Sequence, residues 1–133
     1  MCHTDPDIIC PGSADIVLTL DQSTSIVQES AGGMSNWNVA VLGFAKSIAG
    51  AFPIGQSENR TQVGVMKFNQ TAEVVFHLDR YRHREMLLNA IGNIDIRGGD
   101  TNIAAALRTG RGMFTQSHGS RPGVAKILSL IHI

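Results

Sequence analysis

The chain has 133 residues, enough for one domain with its own core and too few for two. Hydrophobic residues make up 43% and charged residues 17%, a balance that sets it apart from disordered chains. Eleven basic and eleven acidic side chains cancel, so no global field favours nucleic acid or a membrane surface.

Residues 1–13 are read as an N-terminal segment that holds both cysteines. Cys2 and Cys10 can pair with each other, pair outside this chain or stay free thiols, and all three remain open. Met1-Cys2-His3-Thr4-Asp5 lacks the basic and apolar regions of a signal peptide. No apolar run approaches the roughly 18 to 20 residues that span a bilayer, so membrane insertion is not expected.

Asp15 to Leu20 is a short, nearly continuous apolar run, the pattern of a strand buried on both faces. Polar and glycine-rich residues follow through Gly32-Gly33. Ser35 or Asn36 is then expected to cap a helix carrying Val39, Leu42, Ala45, Ile48 and Ala49, which Phe52-Pro53 stops. Trp37, Phe44 and Phe52 are assigned to core or edge packing of that helix.

Strands are expected at Thr61–Phe68 and Ala72–Leu78. Only three residues separate them, which is hairpin length, so they should run antiparallel. Arg80, Arg82, His83 and Arg84 form a basic approach, read as a solvated face, to a helix bearing Leu87, Leu88 and Ile91. A glycine loop over 97–102 precedes a helix from Ile103 to Phe114, and Val124–Ile133 reads as a last strand with nothing after it to cover its faces. Alternating strands and helices predict an α/β fold with a doubly wound, mostly parallel sheet, one antiparallel edge strand and helices on both faces.

In such a sheet, ligands bind at the carboxyl ends of the strands, near the place where strand order reverses. Asp21, Ser23 and Ser25 follow the first strand there. Alternate spacing in an extended loop would aim one carboxylate and two hydroxyls at a point, and oxygen-only ligands suit magnesium or manganese better than zinc. The same residue types also make ordinary turns and helix caps. Thr101 is a candidate for a fourth oxygen, Asp100 is read as the cap of the third helix, and Gly98 and Gly99 are expected to let that loop turn tightly. His77, His83 and His118 share no ligand spacing and are read as surface or edge residues. Two sequons, Asn59-Arg60-Thr61 and Asn69-Gln70-Thr71, fit a secreted protein and are expected on surface loops.

The segments ADIVLTLDQSTSI, the helix after it, TQVGVMKFNQTAEVVFHL, REMLLNAIGNIDIRGGDTNIAAALRTG and VAKILSL resemble, in that order, the von Willebrand factor A domain family. The resemblance runs from Ala14 to about Ile131, and D-x-S-x-S and GG(x)TN are its specific motifs. It is similar to the A domains of extracellular matrix proteins such as collagen type VI and the matrilins. It implies a Rossmann-like fold for a domain over 14–133, read as the N-terminal part of a larger one. It also implies a metal-ion-dependent adhesion site in which Asp21, Ser23 and Ser25 supply the first motif and Thr101 the second.

The family's further aspartate, at the end of the fourth strand, falls at about Ile133, where this chain has none. A site without it is expected to hold Mg²⁺ or Mn²⁺ more weakly. The implied function is adhesion to an extracellular protein ligand, such as a matrix protein, through a cation that accepts an acidic ligand residue. The alternative is a structural matrix domain that assembles by protein contact without a working metal site. No catalytic residue is expected. A haloacid dehalogenase would carry a second aspartate where Ser23 stands. A secreted or matrix location, and further domains in a longer chain, are likewise implied by the resemblance.

Overall fold

A computed structural model describes residues 14–27, 33–57 and 59–131; the side chains of Ser25 and Val27 lie outside the description, as do Cys2, Cys10 and Ile133. Strand β1 (Ala14–Asp21) is buried along its whole length, as a run rich in β-branched residues requires when both faces are covered. It pairs in parallel with β2 (Gln62–Phe68) on one side and with β4 (Ala125–Ile131) on the other. Strand β3 (Ala72–Phe76) is antiparallel to β2, giving the order β3-β2-β1-β4. The order reverses at β1, so the switch point lies at the carboxyl end of that strand, where Asp21 sits.

Pleating sends alternate residues of β1 to opposite faces. Ile16, Leu18 and Leu20 join Val63, Val65, Trp37, Val41, Ala45, Leu87 and Ile91 in the larger core, beneath helices α2 (Leu42–Gly50) and α3 (Arg84–Gly92). Val17 points the other way and packs with Met66, Phe68, Leu78, Ala106 and Met113, the last two from or just after helix α4 (Ile103–Gly112). The helices thus cover both faces, as expected.

Several local expectations are corrected. The residues after β1 are not an extended loop: Thr24–Val27 is a single helical turn, α1, opened by the bond from Ile26 N to the Ser23 carbonyl (3.0 Å). The helix before Phe52 begins as a π-helical stretch over Asn36–Val41, in which Leu42 N reaches back to the Trp37 carbonyl. That wider turn rolls Trp37 and Val41 inward and leaves Val39 74% exposed; Phe44 is also exposed, while Phe52 packs against the larger core. Neither Ser35 nor Asn36 caps. The Asn36 amide instead donates to the Ile26 carbonyl (2.7 Å), and the Trp37 indole N–H donates to the Ile94 carbonyl (2.9 Å).

The last helix ends at Gly112, two residues short of Phe114. Strand β4 lies at an edge of the described sheet, with Ile127 and Leu130 about 40% exposed.

Candidate functional site

Three chain segments meet at the carboxyl end of β1. The first follows Asp21, which is fully buried and whose Oδ1 accepts from the backbone N–H of Ser23 (2.8 Å), an Asx turn that stops the strand and turns Ser23 inward. Ser23 is itself 1% exposed. Gln22 N continues the ladder to the Phe68 carbonyl (2.8 Å), holding the segment against the end of β2.

The second segment is the glycine loop after α3. Thr24 N donates to the Gly99 carbonyl (2.9 Å) and Gly99 N donates back to Thr24 Oγ1 (2.8 Å). The Arg97 N–H also donates to the Gln22 side-chain oxygen (3.2 Å). The two motifs are therefore joined directly, through Thr24, a residue inside D-x-S-x-S that is not one of the three proposed ligands. Upstream, the buried Lys67 at the end of β2 donates to the Asp95 carbonyl (2.9 Å) and carboxylate (3.0 Å). The Lys67 ammonium holds the exposed Asp95 carboxyl below its usual range, chiefly through that hydrogen bond.

The third segment is the β2–β3 turn. Asn69 Nδ2 donates to the Gly98 carbonyl (2.8 Å), and Asn102 N donates to the Asn69 carbonyl (2.8 Å). The Gln70 side-chain oxygen accepts from Asp100 N (3.2 Å), and its carbonyl accepts from the Asn102 amide (3.3 Å). Asn69 is 7% exposed, while Gln70 and Thr71 of the same sequon are exposed, so the turn is at the surface and only its asparagine side chain is tucked in. Thr101, exposed, lies between Gly99, which is bonded to Thr24, and Asn102, which is bonded to Asn69. Asp100 does not cap α4. That role falls to Asn102, whose Oδ1 accepts from Ala105 N (3.0 Å), because Asp100 is two residues too early to reach the first free N–H groups.

Asp21, Ser23 and the loop carrying Thr101 are thus brought to one end of the sheet. Ser25 sits in α1, next to Thr24. Sequence reading missed Gln22, Thr24, Lys67, Asn69 and Gln70, whose role is to hold the segments together. For Asn69 and Gln70 the signal was present in the three-residue hairpin turn, whose polar side chains had to bond somewhere.

Gly98 and Gly99 have φ of +79° and +117°. Only glycine takes the second value without strain, and a Cβ there would collide with the Gln70 side chain. Gly99→Ala is expected to cost about 1–3 kcal/mol of stability, measured by urea unfolding, through strain in this loop.

Among the described residues no three His, Cys, Asp or Glu side chains gather as a transition-metal cage would. His77 and His118, which share no ligand spacing in sequence, stack at 3.8 Å and near-parallel (6°). Burial and the facing His118 push the His77 imidazole below its ordinary pKa, opposed by Asp79. They lie toward the amino end of β1, where Gln62 donates to the Gly119 carbonyl (2.7 Å), away from the Asp21 end. Of the basic approach to α3, Arg84 donates to the Phe52 carbonyl (2.7 Å) and Arg80 lies over the Tyr81 ring (4.6 Å), while Arg82 and His83 are exposed. No helix among the described residues is long and apolar enough to cross a membrane.

The von Willebrand factor type A domain model matches residues 15–132. Integrin alpha-1 of Gallus gallus is 34% identical over 124 residues, covering 92% of this chain and 40% of that protein. Collagen alpha-1(XII) chain of Notophthalmus viridescens is 30% identical over 118 residues, covering 89% of this chain and 11% of that one. The chain therefore spans less than half the length of these relatives. The solved structure of proximal thread matrix protein 1 from the mussel byssus, described with a zinc-occupied MIDAS motif, superposes with a TM-score of 0.81 at 26% identity, covering 92% of this chain and 31% of that one. With the profile matching nearly the whole chain, and the sheet order and the switch-point loops in agreement with the fold, this chain belongs to the von Willebrand factor type A domain family.

Proposed function

We propose that this chain is an extracellular adhesion module that binds a protein ligand through a divalent cation, magnesium or manganese, held by Asp21, Ser23, Ser25 and Thr101. The observation that carries the reading is the reciprocal pair of bonds between Thr24 and Gly99, which ties the D-x-S-x-S segment to the GGDTN loop at the switch point. The donor chemistry fits. One buried carboxylate and hydroxyl oxygens are hard ligands, and the mussel protein, a relative of the same fold described with a zinc-occupied MIDAS motif, supports a divalent cation there. A bound cation with one carboxylate and otherwise neutral ligands supplies residual positive charge and an open coordination position, which an aspartate or glutamate of the partner fills.

The chain's own residues do the positioning. Asp21 supplies charge at the end of a buried strand. Its bond to Ser23 N sets the direction of the next residue, and the Asn69–Gln70 turn fixes the loop bearing Thr101. The adhesion and matrix relatives support an extracellular matrix location and a matrix protein as ligand.

Calorimetric titration with magnesium and with manganese chloride tests the site, on the wild-type chain and on Ser23→Ala. The variant is expected to bind roughly 10- to 100-fold more weakly. Equal heats in both proteins would defeat the assignment. Retention on immobilised collagen, with and without EDTA, tests the ligand class. Retention that EDTA leaves intact points to the alternative, a structural matrix domain that works by protein contact alone.

A further inference from the structure

The two Asn-x-Thr sequons look equivalent in sequence, but their asparagines sit in opposite surroundings, while Thr61 of the first is buried and Thr71 of the second exposed. Asn59 is exposed, near the tip of the loop that leads into β2. Its Oδ1 accepts from the Ser57 hydroxyl (2.9 Å), and its Nδ2 makes no hydrogen bond among the described residues. The backbone beneath is held from the inner side. Arg60 N donates to the Ser57 carbonyl (3.0 Å), and the Arg121 guanidinium donates to the carbonyls of Ser57 (2.5 Å), Arg60 (2.8 Å) and Ala14 (3.0 Å).

Asn69 has the reverse arrangement. Its Nδ2 donates to the Gly98 carbonyl (2.8 Å), and its Oδ1 accepts from the N–H (3.0 Å) and hydroxyl (3.3 Å) of Thr71. The glycine loop lies over it so closely that a Cβ on Gly99 would stand 3.3 Å from Nδ2. A sugar on that nitrogen has no exit that leaves the loop in place.

We propose that Asn59 carries an N-linked glycan and that Asn69 stays unmodified, its side chain serving as a bracket for the Gly98–Asn102 loop. In the transfer, Asn59 Nδ2 bonds to C1 of the first sugar of a lipid-linked oligosaccharide diphosphate. The bond from C1 to the diphosphate oxygen breaks, the lipid diphosphate leaves with the bonding electrons, and Nδ2 gives up one proton. Both sequons can meet the transferase before folding, so selection falls on the product: a chain modified at Asn69 cannot close its loop against Thr24.

The placement also suits a binding domain. Through Arg121 the Asn59 loop is tied to Ala14, at the amino end of β1, and Asp21 lies seven residues further on, roughly 23 Å along an extended strand. A glycan there shields one end of the domain and leaves the opposite end open to a protein partner.

The test expresses the full chain behind a cleavable secretion signal in mammalian cells, so its outcome does not depend on the cation reading. Glycopeptides are mapped by mass spectrometry on the folded, protease-resistant chain recovered from medium and cells. The expected result is one glycan per chain, on Asn59, with the entire mass shift lost in Asn59→Gln and an unmodified Asn69 peptide. A glycan on Asn69 in the folded chain, or an Asn59 that stays bare, overturns the proposal. Magnesium titration of the glycosylated and enzymatically deglycosylated chains is expected to coincide; a difference also counts against the placement.

Discussion

Asp21→Asn is expected to weaken magnesium or manganese binding by on the order of 100-fold or more while leaving the fold cooperative. Loss of groups that merely orient a ligand already costs 10- to 100-fold, and Asp21 is the single carboxylate among the four proposed ligands, so most of the site's negative charge goes with it. The asparagine keeps an oxygen that can accept from Ser23 N, the bond seen at 2.8 Å, so the strand end keeps its shape. Calorimetry for the cation and urea unfolding for the fold separate the two effects. Wild-type affinity in the variant would remove Asp21 from the site. Its position gives the reason for the expected size: a fully buried residue at the switch point cannot be replaced as a ligand by a rearranged surface side chain.

Arg121→Ala is expected to cost about 3–5 kcal/mol of stability, the usual penalty for removing one partner of a buried ion pair. At the amino end of β1, Asp15 is wholly buried and bound on every side. Arg121 donates its backbone N–H to Oδ2 (2.8 Å) and its guanidinium to Oδ1 (2.8–2.9 Å), Lys126 reaches Oδ2 (3.0 Å), and Gln62 reaches Oδ1 (3.1 Å). Without the guanidinium the buried carboxylate keeps only part of this set. Arg121→Lys should recover little, because an ammonium cannot span the carboxylate and the Ala14, Ser57 and Arg60 carbonyls together. Urea unfolding with unchanged slope is the measurement, and a loss under 1 kcal/mol would mean that the cluster is ornamental.

The same carboxylate shapes the acid response. Burial pushes the Asp15 carboxyl up, but the Arg121 N–H, the Lys126 and Arg121 side chains and Gln62 outweigh it and hold it below the ordinary range. Folding therefore weakens proton binding at Asp15. Its contribution is complete above the unfolded pKa of about 3.9 and disappears as pH falls through the lower folded value. Asp15→Asn should flatten the slope of stability against pH in that acid window and leave it unchanged near neutrality.

Element by element, the sequence was most legible where burial and turn chemistry agree. The nearly continuous apolar run at 15–20 predicted a two-sided strand, and the three residues between β2 and β3 predicted an antiparallel hairpin. It was least legible around Asn36–Val41, because helical periodicity assumes an α turn and the bond from Leu42 N to Trp37 O widens it, turning Val39 out. Asp100 and Asn102 are equally good caps by residue type, and only the path of the loop selects Asn102. The two sequons are chemically the same motif, and only packing separates an exposed Asn59 from a locked Asn69.

The sequence by itself determined the order of strands and helices, the family and the candidate ligands Asp21, Ser23, Ser25 and Thr101, because these depend on local pattern and on motifs that keep their spacing. Tertiary structure alone decided how the D-x-S-x-S and GGDTN segments meet. That union runs through Thr24, Gly99, Asn69 and Gln70, residues up to 75 positions apart whose hydrogen bonds exist only once β1 and β2 lie side by side.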